Sequence, residues 1–125
     1  MNSKVAVIIL NWNGKEDTLL CLDSVYKMNY PDLEVVVVDN GSSDNSVPAI
    51  RERFKDALLI ENKANLGFCG GYNIGIKYAL SQKPDYLLIL NNDAVADPAL
   101  VKELKAVVDS DSLIGAVSPI ITFYD

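Results

Sequence analysis

Short runs of apolar residues alternate with amphipathic stretches along this chain. Two of the runs, residues 4–10 and 33–38, are continuous and rich in β-branched residues, which predicts strands that are buried on both faces. Three shorter runs, at residues 58–61, 86–90 and 114–119, predict further strands. The pattern therefore indicates short strands distributed over the whole length of the chain.

Between these runs, apolar residues recur at helical spacing. Helices are predicted at residues 16–28, from the loop at 39–44 to Phe54, at 72–80 and at 98–109. Strands that alternate with helices imply right-handed βαβ units. We therefore predict an α/β fold, in which a Rossmann-like, mostly parallel, doubly wound sheet lies between two layers of helices (α/β/α).

Composition and charge narrow the class of protein. At 125 residues, 50% hydrophobic and 22% charged, the chain suits one globular domain. Its 17 acidic and 11 basic residues give a net charge of −6, so no nucleic-acid partner is expected, since such a partner selects a basic surface. The absence of histidine excludes histidine-based catalysis and histidine-ligated zinc from this segment. No apolar run approaches the roughly 20 residues of a membrane span and the N-terminus lacks a signal-peptide pattern, so we expect a cytoplasmic location.

Polar segments follow three of the predicted strands, at residues 11–14, 39–44 and 91–93, and a fourth, at 65–73, precedes a helix. The loops that follow successive parallel strands emerge on one edge of the sheet, which is where ligands bind in open α/β proteins. We therefore expect these four segments to lie together and to form the functional site.

Residues in two of these segments each allow two interpretations. Asp39 presents a carboxylate that can accept a hydrogen bond from the imide N–H or a ribose hydroxyl of a nucleoside, or that can form an Asx turn into the next helix. Gly67, Gly70 and Gly71 stand at a helix entrance, where they let the backbone approach an anionic ligand or simply make that entrance flexible. Neither the dinucleotide pattern Gly-x-Gly-x-x-Gly nor a phosphate-binding P-loop is present there.

A carboxylate ends the last polar segment: Asn91, Asn92 and Asp93 directly follow the apolar run at residues 86–90. Taken alone, such a residue is an ordinary turn former or helix cap. Mg²⁺ and Mn²⁺, however, prefer oxygen ligands, and Mg²⁺ commonly binds one or two carboxylates together with substrate phosphates. Asp93 is therefore the candidate metal ligand, and its metal binding is expected to depend on a bound phosphate-containing ligand.

Four blocks of sequence, at residues 7–14, 38–44, 65–73 and 90–93, together resemble a known family. They are similar to the N-terminal, nucleotide-sugar-binding half of the family 2 glycosyltransferases, which have the GT-A fold. The spellings Asn-Gly-Ser-Ser-Asp and Asn-Asn-Asp resemble the subgroup often described as rhamnosyltransferases. The resemblance implies an enzyme that transfers a sugar from a UDP- or dTDP-linked donor to an acceptor hydroxyl with inversion.

The resemblance also implies roles for individual residues. Asp93 matches the metal-binding acidic position of the family's Asp-x-Asp-type motif and would bind Mg²⁺ or Mn²⁺. Asn40, Asn91 and Asn92 stand where many relatives have aspartate, which lowers the negative charge of the site. The residues implied to bind the nucleotide sugar are Asn11, Asn13, Asp39, Asn40, Asn65, Gly67, Gly70, Gly71, Asn73, Asn91 and Asn92.

In such enzymes the acceptor site and the catalytic base lie in a C-terminal half, after the Asp-x-Asp-type motif. We therefore expect residues 1–125 to be a single donor-binding domain, truncated before the acceptor half, with the base beyond Asp125. Asp109, Asp111 and Asp125 are interpreted as helix-end, turn and terminal residues. The implied acceptor is a glycan or lipid-linked hydroxyl in cell-wall or polysaccharide biosynthesis, and the full-length protein is expected at the inner face of the membrane.

A second interpretation is a non-catalytic module, in which the same fold binds a nucleotide or serves assembly only. A third, a nucleotidyltransferase, requires a glycine-rich, basic first turn that residues 11–15 do not supply. Without an acceptor half, apolar surface and a sheet edge would be left uncovered, so we expect the domain to self-associate.

Overall fold

The computed structural model of the chain describes residues 2–123. Strands and helices alternate strictly in this part of the chain, as the sequence pattern predicts. None of its helices has both the length and the apolar character that crossing a bilayer requires. The elements are β1 (Val5–Asn11), α1 (Lys15–Tyr26), β2 (Leu33–Asp39), α2 (Ser46–Arg53), β3 (Leu58–Glu61), α3 (Gly67–Ser81), β4 (Tyr86–Asn91) and α4 (Leu100–Ser110).

All the strands of the described sheet are parallel, and their order is β3-β2-β1-β4. The chain first winds outward from β1 through β2 to β3, and then crosses back to place β4 on the other side of β1. The direction of winding therefore reverses between β1 and β4. In open α/β sheets, the crevice at the carboxyl ends of the strands beside such a reversal is the usual ligand site.

Alternate residues of the central strand β1 belong to two separate cores. Val7 and Ile9 pack in the cluster that includes residues of α1, α2 and α4, whereas Ala6 and Ile8 pack in the cluster that includes residues of α3. Successive side chains of a strand point to opposite faces, so a continuous apolar run means that both faces are covered. The predicted three-layer α/β/α arrangement is therefore confirmed.

Helix α3 begins at Gly67, five residues before the start predicted at Tyr72. Glycine is a poor helix former, which is why the sequence favoured a loop here. In the structure, α3 packs over β1 and β2 at very close range. A Cβ atom on Gly71, in the part of α3 that was not predicted, would lie 2.4 Å from Leu10 Cδ1. One turn later, a Cβ atom on Gly75 would lie 2.7 Å from Ile8 Cγ2 and 2.9 Å from Val38 Cγ2. The missing side chain lets the helix approach the sheet, and that tertiary contact outweighs the local propensity.

The predicted fifth strand at residues 114–119 is wrong: this segment has no strand partner among the described residues and is not part of the sheet. A strand is stabilised by the ladder that it forms with a neighbour, so an apolar run alone does not create one. The flanking side chains of Leu113 and Ile120 are 90% and 93% exposed. Within residues 2–123, β4 is therefore an edge strand.

Replacing Gly75 by alanine is expected to destabilise the protein. The new methyl would gain about 1 kcal/mol in helix propensity but would collide with two β-branched side chains, which typically costs about 1–3 kcal/mol, and more where the neighbours are stiff. We expect a net loss of about 1–2 kcal/mol in the free energy of unfolding, measured by urea denaturation. Gly115→Ala is the control, because nothing in the described chain lies within 4 Å of its Cβ position. Equal stability of the two variants would contradict the close approach.

Candidate functional site

The four polar segments lie together at the carboxyl edge of the parallel sheet. The strand register aligns Asn11 with Asp39, and Leu10 with Asn91. Backbone bonds continue beyond the strands, because Asn40 N–H donates to the Asn11 carbonyl and Asn62 N–H to the Asp39 carbonyl, both at 2.8 Å. Further hydrogen bonds between side chains then join each segment to the next.

Asn11 ends β1, and its side chain is fully buried. Its amide nitrogen donates hydrogen bonds to Asp39 Oδ1 at 2.8 Å and to Ser42 Oγ at 3.2 Å. Its amide oxygen accepts hydrogen bonds from the Gly14 N–H at 3.2 Å and from the Thr18 hydroxyl at 2.7 Å. An asparagine side chain has two N–H donors and two oxygen lone pairs, so Asn11 uses its full capacity inside the protein.

The Asp39 carboxylate is 2% exposed and also bonds within the chain. Oδ1 accepts from Asn11 and from the Ser42 hydroxyl at 2.7 Å, while Oδ2 accepts from the backbone N–H groups of Gly41 at 3.1 Å and Ser42 at 2.9 Å. These contacts occupy its four lone-pair directions and form the Asx turn that was one of its two interpretations. Gly41 has φ +78°, the left-handed conformation that glycine adopts without strain. Contact between Asp39 and a ribose stays a prediction.

Asn40 joins the loop after β2 to the start of α3. Its side chain is buried, and its amide nitrogen donates to the Gly67 carbonyl at 3.0 Å and to Asn65 Oδ1 at 3.3 Å. Its amide oxygen accepts from Asn62 Nδ2 at 2.9 Å. Gly71 packs against this group, since a Cβ there would lie 2.9 Å from Asn40 Nδ2. Asn40 thus holds the glycine-containing segment against the sheet.

Asp44 joins the starts of α1 and α2. Its Oδ2 accepts from the Lys15 N–H at 2.9 Å and its Oδ1 from the Ser46 N–H at 3.0 Å. Burial raises the pKa of the Asp44 carboxyl, but the hydrogen bonds from Ser46 and Lys15 together outweigh burial, so its pKa lies below the ordinary value. The carboxylate therefore stays ionised while it holds the two helix starts together.

The other predicted ligand-binding residues lie nearer to solvent. Asn13 has φ +49°, and its side-chain oxygen accepts from the Ser43 N–H at 2.8 Å. This hydrogen bond joins the loop after β1 to the loop after β2. Asn92 is half-buried, and Gly70 is also intermediate. The exposed members of the set are Asn13, Asn65, Gly67, Asn73, Asn91 and the metal candidate Asp93. This exposed group, unlike Asn11, Asp39 and Asn40, is accessible to solvent, and its contact with a ligand stays a prediction.

Helix α1 contacts the loop after β4 through residues that the sequence pattern did not single out. Asn92 Nδ2 donates to Thr18 Oγ1 at 3.0 Å, and the Cys21 thiol donates to the Asn91 carbonyl at 3.5 Å. Ser24 Oγ accepts from the Ala96 N–H at 2.9 Å. A signal was available in the sequence, since small polar residues recur every three positions on the buried face of a helix.

Asp93 affects its neighbours through its charge. Burial, and then the negative charge of Asp93, raise the pKa of the Cys21 thiol to about 12, so the thiol stays protonated and able to donate. Cys21 is a buried free cysteine. Burial is also the main cause that raises the pKa of Tyr72, whose hydroxyl donates to the Leu90 carbonyl at 2.8 Å.

The donor set at the end of β4 suits a divalent ion that phosphates help to hold. Within residues 2–123 there is no group of three or more Asp, Glu, Cys or His side chains that could hold a metal without another ligand. Asp93 supplies one exposed carboxylate, and Asn91 supplies an amide beside it. One or two carboxylates completed by substrate phosphates is an ordinary arrangement for Mg²⁺. The chemistry of these residues therefore fits Mg²⁺ or Mn²⁺ bound together with a diphosphate.

The acidic residues toward the C-terminus are engaged elsewhere. Asp109 lies in the last turn of α4 and pairs with Lys105 and the Tyr86 hydroxyl, whose hydrogen bonds lower its pKa. Asp111 Oδ1 accepts from the Leu113 N–H at 2.9 Å in the turn that follows. Asp125 lies outside the described residues. Neither Asp109 nor Asp111 is therefore placed to act as a base at the carboxyl edge of the sheet.

Comparison with known proteins places this geometry in a family context. Residues 6–125 match the family model of Glycosyl transferase family 2. An uncharacterised glycosyltransferase from Nostoc sp. is 28% identical over 117 residues, which cover 91% of this chain and 35% of that protein. Poly-beta-1,6-N-acetyl-D-glucosamine synthase from Staphylococcus epidermidis is 30% identical over 95 residues, covering 74% of this chain and 22% of the synthase.

A solved structure has the same fold. The mannosyltransferase from Pyrobaculum calidifontis, in complex with GDP-Man and Mn²⁺, matches with a TM-score of 0.85 and 29% identity, over 96% of this chain and 36% of that one. The chain therefore spans about a third of the length of the Nostoc and Pyrobaculum proteins. The α/β fold predicted from the sequence, a mostly parallel sheet of the GT-A type, is confirmed.

Replacing Asn11 by alanine is expected to destabilise the protein strongly. The change removes one donor to Asp39 and leaves the Gly14 N–H and the Thr18 hydroxyl without their acceptor. We expect a loss of about 3 kcal/mol in the free energy of unfolding, measured by urea denaturation, because buried polar groups left unpaired are costly. The control is Asn29→Ala, whose side chain is exposed and makes no hydrogen bond with the described residues. A similar small effect of both changes would refute a central role for Asn11.

Proposed function

Because this chain belongs to glycosyl transferase family 2, we propose that it is the donor-binding domain of an inverting hexosyltransferase that uses a nucleoside diphosphate sugar. One observation supports this most directly: four linked polar segments meet where the winding of the sheet reverses, and Asp93 stands exposed at the end of β4. The single-domain character of residues 1–125 is part of this proposal.

We infer a division of labour between buried and exposed residues of the site. Asn11, Asp39 and Asn40 set the shapes of the loops through their internal hydrogen bonds. The exposed residues beside them would contact the donor, with the base and ribose near the loops of β1 and β2 and the diphosphate near the loop of β4. Pre-formed loops of this kind lower the cost of ordering the site when the ligand binds.

The diphosphate end of the site requires a local positive charge, since the chain as a whole carries a net charge of −6. Asp93 and Asn91 would hold Mg²⁺ or Mn²⁺, with the donor phosphates as the other ligands. A bound divalent ion supplies charge neutralisation of the diphosphate leaving group. The similarity to a solved mannosyltransferase that holds GDP-Man and Mn²⁺ supports a divalent ion as the cofactor.

The nucleotide and the acceptor form the finer part of the proposal. We propose a UDP- or dTDP-linked hexose as the donor, in a rhamnosyltransferase-like subgroup, from the spelling of the sequence blocks. The solved mannosyltransferase in complex with GDP-Man makes guanine the competing base. The acceptor would be a glycan or lipid-linked hydroxyl, a role that the Staphylococcus epidermidis polysaccharide synthase supports. The group that deprotonates this hydroxyl would be supplied outside residues 1–125.

Asp109 and Asp111 both make contacts within the chain, which favours a second candidate function for the isolated segment, nucleotide binding without catalysis. Without a base at the edge, the domain would bind a nucleotide and catalyse no transfer. Turnover of a nucleotide sugar by residues 1–125 would exclude this non-catalytic alternative. Binding without turnover, with transfer recovered in a longer protein, would support the donor-domain proposal.

Nucleotide binding is expected to depend on a metal and on Asp93. Calorimetric titration with UDP, dTDP and GDP should show tighter binding with Mn²⁺ than with EDTA for at least one nucleotide. Asp93→Asn should reduce the affinity in Mn²⁺ to the EDTA value, because the change removes the charged ligand and keeps the shape. The affinity in EDTA should change by less than about twofold, since metal ligands act through the ion.

The control for this experiment is Asp56→Asn, another exposed carboxylate, which lies in the turn before β3, away from the carboxyl edge. It should leave both affinities unchanged. No response of the unaltered protein to any nucleotide, with or without Mn²⁺, would refute the proposed donor site. If nucleotide affinity in Asp93→Asn still depended fully on Mn²⁺, the role of Asp93 would be refuted, but the donor site would not.

The isolated domain is expected to self-associate through the β4 side of the sheet. Ile89 pairs with Ile8 in the sheet but is 51% exposed, because α3 covers β1 and β2. Light scattering should give a mass above the 13.7 kDa of one chain. Ile89→Lys should restore the monomer, whereas Leu80→Lys, at a side chain on α3 that is 56% exposed, should not. A monomer at high concentration in the unaltered protein would contradict the prediction.

A further inference from the structure

Three buried residues whose side chains take part in hydrogen bonds form a row along α1: Thr18, Cys21 and Ser24, called here the α1 polar row. They are spaced three residues apart, so they share one face of the helix. Each of them contacts a different point of the chain at and after the end of β4. The row therefore spans most of the stretch on which the metal candidate Asp93 lies.

Ser24 holds the far end of this stretch. Its hydroxyl donates to the Cys21 carbonyl at 2.6 Å and accepts from the Ala96 N–H at 2.9 Å. Ala96 is itself buried and packs in the core beneath α1. A buried backbone N–H requires an acceptor, and here α1 supplies it with a side chain. The position of residue 96 is thus determined by the Ser24 side chain of helix α1 as well as by the core in which Ala96 packs.

Thr18 holds the near end and joins it to the rest of the site. Its hydroxyl accepts from Asn92 Nδ2 at 3.0 Å and donates to Asn11 Oδ1 at 2.7 Å. A hydroxyl has one proton to donate, so this pair of contacts defines its direction. A continuous path of hydrogen bonds then runs from Asn92 through Thr18 and Asn11 to Asp39.

The Asn92 amide also has little freedom to move. A Cβ on Gly14 would lie 2.6 Å from Asn92 Nδ2, which shows that this amide lies directly against the backbone of the loop after β1. Asp93 follows immediately in the chain, and each residue has only two soft backbone dihedrals. Holding residues 92 and 96 restricts the conformations available to the residues between them.

We propose that Thr18 and Ser24 are positioning residues, which hold Asn92 and Ala96 so that the Asp93 carboxylate keeps a fixed place relative to the loops of β1 and β2. This inference rests on the proposed function, in which Asp93 binds the ion and those loops bind the nucleoside. Its consequence is energetic coupling. The gain in nucleotide affinity that Mn²⁺ provides depends on the Thr18 hydroxyl, although Thr18 contacts neither ligand.

The holding of the loop is tested first without any ligand. Amide hydrogen exchange at residues 92–96 should become roughly five- to tenfold faster in Ser24→Ala and in Thr18→Val, the change expected when one or two ordinary hydrogen bonds are lost. Ser81→Ala is the matched control, because the Ser81 hydroxyl donates to the carbonyl three residues earlier at 2.6 Å, as Ser24 does, and contacts no other loop of the described chain. Exchange at the rate of the unaltered protein in both test variants would overturn the proposal.

The coupling is tested by the ratio of two dissociation constants for the nucleoside diphosphate, one in EDTA and one in Mn²⁺. Thr18→Val should lower this ratio by about tenfold, as loss of a residue that orients a metal ligand typically does. Thr18→Ser keeps the hydroxyl and should retain the ratio. If Thr18 had only a structural role, Thr18→Val would raise both dissociation constants by the same factor and leave their ratio unchanged. That result would overturn the proposal.

A double-mutant cycle tests whether Thr18 acts through Asn92. The loss of the Mn²⁺ gain in Thr18→Val and in Asn92→Ala should be far from additive in the double variant, because both changes remove the same contact. Additive losses would overturn the path through Asn92. If the unaltered protein gains no nucleotide affinity from Mn²⁺, the proposed function fails, and the exchange experiment still decides whether the α1 polar row holds the loop.

Discussion

The rest of the site depends on the hydrogen bonds of the buried Asn11 side-chain amide. It lies at the end of the central strand, where water cannot satisfy it, so its partners must come from the protein. Those partners belong to the loop after β1, the loop after β2 and helix α1. One side chain therefore sets the relative positions of three parts of the chain that are distant in sequence, and Thr18 extends this arrangement to the loop after β4.

The same logic separates stability from ligand contact in this domain. Asp39 and Asn40 have the residue types that a nucleoside would select, yet their hydrogen bonds are used to shape the loops. Asp93 and Asn91 are exposed and lie where the winding of the parallel sheet reverses. This separation satisfies the buried Asp39 carboxylate with hydrogen bonds inside the protein and leaves the exposed Asp93 carboxylate for the proposed metal ion.

Two sequence expectations differed from the structure for physical reasons that local patterns do not contain. Residues 67–71 were expected in a loop because glycine disfavours helix, but α3 approaches the sheet so closely at Gly71 that a Cβ there would lie 2.4 Å from Leu10 Cδ1. Residues 114–119 were expected as a strand because they are apolar, but a strand requires a neighbour with which to pair. In both cases the deciding partner is distant along the chain.

By itself, the sequence determined the order and type of the elements from β1 to α4, the two-sided burial of β1 and β2, and the polar segments that meet at the carboxyl edge. These follow from periodicity and from the rule that parallel strands end on one edge, both of which are local or topological properties. Only the tertiary structure decided which polar residues are free. Whether Asp39 or Asp93 can contact a ligand depends on hydrogen bonds to distant partners, such as the bond between Asp39 and Asn11, 28 positions away. The contacts of Thr18 and Ser24 likewise arise from the packing of α1 against a loop more than 70 positions later.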